Sequence, residues 1–399
     1  MKLGPEAHLT YCTNVHKGIS WPEVRAYLER DVVAVKAQAC PDAPFGLGFR
    51  FAAQAAAELE DPAALADLQD LLARHDLYVF TLNGFPYGPF HGVRVKEEVY
   101  QPDWSYPERL AYTNRLADLL LRLLPADPGI AGSVSTVPGT FRPLAAEPER
   151  VARIADHLLQ HVAHLVALHR QSGRIIALAI EPEPMCMLET IDETVDFIEA
   201  HLLGRAALAR LGQLTGLTPA AAEAALRQHL GLCYDVCHAA VEFEDAAGSI
   251  RRLREAGIGV PKLQLSAALR VPRMSPELAA WLPRFNDGVY LHQVVARSGG
   301  GLTRYLDLPP ALADYAAEGG DAEWRIHCHV PVFMAEAGLA ATTRPFLEEI
   351  LALQRAQAIS AHLEVETYTW DVLPPALREQ DLATGIAREL AWCRAELAR

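Results

Sequence analysis

Eight short apolar runs alternate with longer amphipathic stretches along this 399-residue chain, and that alternation leaves few folds open. Short runs bounded by turn residues read as strands buried on both faces, as in parallel sheets; the longer stretches, apolar at helical spacing, read as the helices that cover them. The strand-like runs are His8–Asn14, Tyr78–Phe85, Ile130–Val137, Arg174–Glu183, Gly231–His238, Pro261–Ala267, Trp324–Val332 and His362–Tyr368. The periodicity predicts helices over Trp21–Arg30, Pro62–His75, Pro107–Leu124, Glu147–Ser172, Thr190–Leu203, Pro219–His229, Ala246–Ala256, Arg344–Gln354 and Asp381–Glu396. Ser20 and Asp61 stand just ahead of helix-opening prolines, as N-caps do. Eight such units fit an α/β fold, a closed (β/α)8 TIM barrel, with 1–399 as a single domain. No GxGxxG follows any run, so an open dinucleotide-binding sheet lacks its marker.

Two segments depart from the alternation. Val289–Arg297, the turn Ser298-Gly299-Gly300-Gly301 and Leu302–Leu308 read as an inserted β-hairpin over 289–308. Asn83–Asp103 follows a strand end and is rich in Pro, Gly and aromatics, as a cover for the barrel mouth would be.

Composition narrows the partners. A net charge of −14 opposes binding to a phosphate backbone, so no nucleic-acid partner is expected and a small-molecule substrate is. The apolar fraction of 51% supplies a large core, yet no window reaches the length of a membrane span. The first residues carry no secretory pattern, so a cytoplasmic location is expected; a homo-oligomer stays open. Seven cysteines, odd in number and never spaced CxxC, argue against a disulfide framework and a thiolate zinc site, and Cys186 and Cys237 read as packing residues.

In a barrel, chemistry sits at the C-terminal strand ends, and polar residues gather there. The ends carry Glu181 and Glu183, Asp235 and His238, Gln264 and Ser266, His327 and His329, and Glu364, Glu366 and Thr367. Residues two apart in a strand share a face, so Glu181 with Glu183, His327 with His329, and His362 with Glu364 and Glu366 each project to one side. Carboxylates converging in a low-dielectric cup repel one another unless protons or a cation neutralise them. A divalent metal, Mn, Mg, Co or Zn, suits this mixture of oxygen and imidazole donors. Asn83 and His91, with Tyr87 and Trp104, are candidates for the pocket lining.

Glu183-Pro-Met-Cys-Met-Leu-Glu189-Thr190 resembles a motif of sugar 3-epimerases, Tyr234-Asp235-Val-Cys-His238 resembles their Asp-x-x-His and that of endonuclease IV, and Glu366-Thr367 is similar to the last-strand Glu of both groups. Together with HLTYCTNVHKG, TLNGFPYGPFHG, EPEP and HLEVETYTW, the chain looks most like the EboE family of metabolite traffic proteins, a xylose-isomerase-like branch of TIM barrels. The resemblance implies Glu183, Asp235 and Glu366 as metal ligands and Glu189 and His238 as substrate contacts. It departs at Gln264, where epimerases place a ligating His. Either the Gln264 amide oxygen or a strand-seven imidazole, His327 or His329, completes the site.

The leading expectation is a metal-dependent isomerase or epimerase of a sugar-like hydroxy-carbonyl compound, with Glu183 and Glu366 moving the proton. A free neighbour, Glu181 or Glu364, is an alternative base. The surplus histidines His292, His327 and His329 would permit phosphoester hydrolysis at a multi-metal site, and a non-catalytic metabolite-binding barrel is the third reading.

Overall fold

The computed structural model describes residues 1–4, 7–378 and 381–399. Its first eight strands are β1 (Lys2–Leu3), β2 (Ala7–Tyr11), β3 (Phe45–Arg50), β4 (Leu77–Asn83), β5 (Gly132–Thr136), β6 (Ile176–Ile180), β7 (Leu230–Asp235) and β8 (Lys262–Leu265). There follow β9 (Ala268–Val271), β10 (Val294–Ser298), β11 (Gly301–Tyr305), β12 (Glu323–His329), β13 (Glu336–Ala337), β14 (Ala340–Thr342) and β15 (His362–Val365). Strands β2 to β8 and β15 run parallel, and a bridge from Cys12 to Gly48 joins β2 to β3, so eight strands close into a barrel. β1 pairs antiparallel with β2.

The expected barrel is present, but one of its staves is not the expected one. Phe45–Arg50 supplies the second stave, and Trp324–Val332 supplies none: β12 belongs to a separate antiparallel sheet of order β11-β10-β12-β9-β14-β13, inserted between β8 and β15. The Phe-Gly-Leu-Gly-Phe-Arg run carries two glycines, which strand propensity disfavours. The barrel interior requires them. A Cβ on Gly48 would lie 1.6 Å from Glu364 Oε2, and one on Gly46 would lie 2.6 Å from the Phe80 ring.

The hairpin expected over 289–308 is β10 and β11, shorter at both ends and forming the edge of that second sheet. Its turn glycines, Gly299 and Gly300, have φ of +56° and +87°, the conformation a tight two-residue hairpin needs. The expected helices all form, with ends moved by a few residues. Trp21–Tyr27 runs on through a wider turn, Leu28–Val32, into Val33–Ala39. Ala53–Glu58, Arg205–Thr215, Pro276–Trp281 and Leu308–Glu318 are further helices that the periodicity did not mark. Among the described residues, no helix is long and apolar enough to cross a membrane.

Inside the barrel, below its mouth, Lys262 Nζ pairs with Glu364 Oε1 at 2.6 Å and donates to Ser135 Oγ at 3.2 Å, all three residues being fully buried. Glu364 is therefore committed to an internal ion pair and is neither a substrate contact nor a free base. Removing one partner of a buried pair leaves an uncompensated charge, which is strongly destabilising. Gly48→Ala drives a methyl group into the same carboxylate. It should lower stability by roughly 3 kcal/mol or more in denaturant unfolding, at the upper end of overpacking costs; a loss below about 0.5 kcal/mol would contradict the close approach.

Candidate metal centre

The C-terminal ends of the strands carry the polar cluster, and local structure decides which atoms stay free. Asp235 ends β7 and caps the helix Val236–Val241: its Oδ1 accepts from His238 N at 3.1 Å and from Ser266 Oγ at 2.6 Å. That leaves Oδ2 buried without a partner. Glu366, just beyond β15, has Oε1 held by Asn14 Nδ2 at 2.7 Å and Asn83 Nδ2 at 3.0 Å, while Gln264 Nε2 donates to Oε2. Glu181, one residue past β6, has an unpartnered Oε2. One oxygen each from Glu181, Asp235 and Glu366 lie within 4.8 Å of one another, and all three residues are buried.

Three imidazoles border this trio. His238 Nδ1 lies 2.9 Å from Pro182 O, His327 Nδ1 2.8 Å from Gln293 Oε1, and His329 Nδ1 2.7 Å from Glu366 O. Each partner is an oxygen that only accepts, so each Nδ1 carries a proton. Nε2 of His327 and of His329 has no partner. A register shift in β12 between Ile326 and His329 changes the aim of successive side chains, as a bulge does, and the two rings stand 5.3 Å apart.

Electrostatics make the cluster incomplete by itself. Burial, then the neighbouring carboxylates, push Glu181 and Glu366 well above the usual carboxylate range. Burial would raise Asp235 too, but His238, His329 and the Ser266 hydroxyl outweigh it and hold it low. Burial also drives the imidazoles down, His329 to about 4 and His327 well below its ordinary value, so both are neutral. Carboxylates that resist ionising beside orphaned oxygens and imidazole lone pairs fit a divalent cation, which would neutralise the former and satisfy the latter. Glu181, Asp235 and Glu366 would hold it, with His329 or His238 adjoining: Asp235, His238 and His329 also bring donor atoms within 4.8 Å of one another.

Several expected roles change. Glu183, expected as a ligand, is in none of these groups, its Oε1 accepting from Tyr100 Oη at 2.8 Å; Glu181 is the glutamate of this loop that lies near Asp235 and Glu366. β6 ends at Ile180, so Glu181 and Glu183 lie beyond the strand and its pleat does not set their directions, although both border the same cavity. Gln264, weighed as a ligand, has its Oε1 accepting from the Cys233 thiol at 2.7 Å while its nitrogen orients Glu366. His292 has both nitrogens engaged, Nε2 with Asp287 Oδ2 at 3.0 Å and Nδ1 with His327 O at 3.2 Å, and braces the sheet. His91 likewise bridges Asn14 O and the Tyr290 hydroxyl behind the cavity wall. Glu189 accepts from Met185 N at 2.7 Å and pairs with Arg142 and Arg304 at 3.0 and 3.2 Å. It secures the loop carrying Glu183, where Met185 has a positive φ of 67°.

The structure does bring Glu181, Asp235, His238, His327, His329, Glu366 and Asn83 together. Asn14, Tyr100 and Gln293 join them without having been singled out. Asn14 ends the first predicted strand, so the strand-end rule reaches it; Tyr100 lies in the covering segment Asn83–Asp103 and Gln293 in the predicted hairpin, where nothing in the spacing singles out either residue. The cavity over the cluster, about 520 Å³ with its open mouth, is bordered by Phe85, Phe90, Tyr290 and Tyr368 as well as by Glu181, Glu183 and Glu366. Phe85 and Phe90 come from the Asn83–Asp103 segment, which does cover the mouth.

No protein-family model matches the chain, and no curated protein matches it in sequence. Among solved structures it is similar to a xylose isomerase-like TIM barrel protein from Mycobacterium smegmatis in complex with magnesium, at 11% identity and a TM-score of 0.50 over 98% of this chain and 96% of that one. A xylose isomerase domain protein from Planctomyces limnophilus is similar at 12% identity and a TM-score of 0.49, over 99% of each chain. IOLI protein with a zinc atom is similar at 12% identity and a TM-score of 0.47, over 98% of this chain and 97% of that one. The likeness to the Mycobacterium smegmatis protein agrees with the TIM-barrel fold described above.

The ligand assignment makes a direct prediction. In elemental mass spectrometry after manganese loading and dialysis, Glu181→Gln should lose at least tenfold in retained manganese while Glu183→Gln retains the wild-type amount. The reverse pattern would return the ligand role to Glu183.

Proposed function

We propose that the chain is a metal-dependent isomerase or epimerase of a small, sugar-like hydroxy-carbonyl metabolite bound at the C-terminal mouth of the barrel. The observation that carries this reading is Glu183, a buried carboxylate that borders the cavity yet stands outside the Glu181, Asp235 and Glu366 trio. Burial lifts it to about 7, against the opposing pull of His238 and the Tyr100 hydroxyl. A carboxyl group in that range both accepts and returns a proton at neutral pH. A divalent cation in the trio would polarise the adjacent carbonyl and hydroxyl oxygens of such a substrate.

The remaining roles fall to this chain's own side chains. Glu183 takes the proton from the carbon next to the carbonyl and delivers it to the carbonyl carbon, while the hydroxyl proton passes to the former carbonyl oxygen, one carboxylate serving one face of the substrate, as isomerisation requires. Tyr100, itself held by Gln293 Nε2 at 2.9 Å, fixes the Glu183 carboxylate. Epimerisation would need a second group on the other face; Glu366, the sequence-based candidate, is held on both oxygens by Asn14, Asn83 and Gln264 and belongs to the trio, so isomerisation is the form of the reaction these residues favour. The magnesium bound by the Mycobacterium smegmatis protein of like fold agrees with this reading.

The same aromatic border supports a second reading. Phe85, Phe90, Tyr290 and Tyr368 suit a barrel that binds a metabolite and hands it on unchanged, the metabolite-traffic role that the EboE resemblance implies. Proton exchange separates the two. With manganese or magnesium present, nuclear magnetic resonance in deuterated water should show deuterium entering the position next to the carbonyl of at least one member of a panel of aldoses and ketoses. Glu183→Gln should slow that exchange by about 10²- to 10⁴-fold with metal content unchanged. Tight binding across the panel with no exchange would remove the enzymatic reading and leave the carrier.

A further inference from the structure

We propose a second, softer cation site on the same rim, formed by Cys237, His327 and His329 and taking zinc or cobalt in preference to magnesium. One donor atom from each of the three lies within 4.8 Å of the other two. Cys237 and His329 have no exposed surface and His327 is 3% exposed, so water satisfies none of these donors freely. Both imidazoles spend their Nδ1 protons on oxygen acceptors, and both Nε2 atoms are buried without a partner. The Cys237 sulfur makes no hydrogen bond among the described residues, although its backbone N–H donates to Ser266 Oγ at 2.8 Å. Three buried donor residues this close together, two of them with an unpartnered ring nitrogen, are what a bound ion would complete.

The chemistry separates this site from the carboxylate trio. One sulfur and two imidazole nitrogens favour zinc or cobalt, whereas three carboxylates suit magnesium or manganese. Asp235, His238 and His329 bring donor atoms within 4.8 Å of one another, and this group shares Asp235 with the trio and His329 with the softer site. The two sites are therefore neighbours with a carboxylate and an imidazole between them. Binding has a simple proton balance: the Cys237 thiol gives one proton to solvent as the metal–sulfur bond forms, and the neutral imidazoles give none. Cys237 lies in the helix that follows barrel strand β7, and His327 and His329 lie in β12 of the second sheet. An ion here ties that sheet to the barrel. The absence of any CxxC spacing hides the site, because its donors come from two distant segments.

This site stands on its own donors, so it can survive the loss of the carboxylate site. The full-length protein, stripped with a chelator, is titrated with cobalt(II) and followed by the near-ultraviolet thiolate-to-cobalt charge-transfer absorption and by elemental mass spectrometry. Wild type should show the absorption, zinc should abolish it by displacement, and magnesium should leave it in place. Cys237→Ser should lose the absorption and about one equivalent of bound cobalt, while Glu181→Gln keeps the absorption and loses the other equivalent. Circular dichroism checks folding, and His327→Ala should also lose the absorption if Cys237→Ser does not fold. Saturating cobalt without a thiolate band in folded wild type, or a band that persists in a folded Cys237→Ser or His327→Ala protein, would overturn the proposal. Loss of cobalt at Glu181→Gln with the band intact would confirm the softer site as separate; loss of the band as well would reduce the two to one.

Discussion

Placing Glu181, Asp235 and Glu366 within a few ångströms of one another in a water-poor cup carries a desolvation penalty of several kcal/mol for each unneutralised ion, and the rest of the site is arranged around that penalty. Hydrogen-bond donors surround Glu366 on both oxygens, a serine hydroxyl and a helix N–H hold one oxygen of Asp235, and Glu181 keeps an oxygen with no partner. The donors fix where the carboxylates point; they do not cancel the charge. Only protons or a cation do that, and His327 and His329 alongside, driven down by burial, offer lone pairs, not protons.

The second sheet turns this barrel end into a closed site. β12 delivers His327 and His329 over the mouth, Gln293 just before β10 orients His327 and Tyr100, and Tyr100 in turn holds Glu183. One chain of contacts thus runs from the insertion to the carboxyl group assigned to proton transfer. The barrel supplies the rigid oxygen donors, and the insertion supplies the imidazoles and part of the aromatic border. Arg304 on β11 clamps the hairpin onto the barrel through Glu242 Oε2 at 2.6 Å and Glu189 at 3.2 Å, so the insertion is held from two sides.

Much of this was legible in the sequence, and the exceptions have physical causes. Seven barrel strands, the covering segment, the hairpin turn and the strand-end cluster follow from periodicity and from the position of polar residues after apolar runs. Phe45–Arg50 escaped because its glycines answer to Glu364 and Phe80, residues far away in sequence. Trp324–Val332 passed for a barrel strand because an alternating run such as Trp-Arg-Ile-His-Cys-His has the same period in a parallel stave and in an antiparallel insert. Choosing Glu183 over Glu181 rested on the likeness of Glu183-Pro-Met-Cys-Met-Leu-Glu189 to the epimerase motif, whereas it is Glu181, one residue past β6, that brings an oxygen close to Asp235 and Glu366. Asn14 and Gln264 as orienters of Glu366, and Cys237 as a neighbour of two histidines, are long-range facts that no local spacing encodes.

The most direct measurement of the central claim is anomalous X-ray diffraction from crystals of the wild-type protein grown in manganese. The account predicts an anomalous peak bounded by Glu181, Asp235 and Glu366, within about 2.0–2.2 Å of one oxygen from each, with Glu183 outside its first ring of ligands. A peak ligated by Glu183 in place of Glu181, or no peak at this barrel end in manganese-saturated crystals, would contradict it.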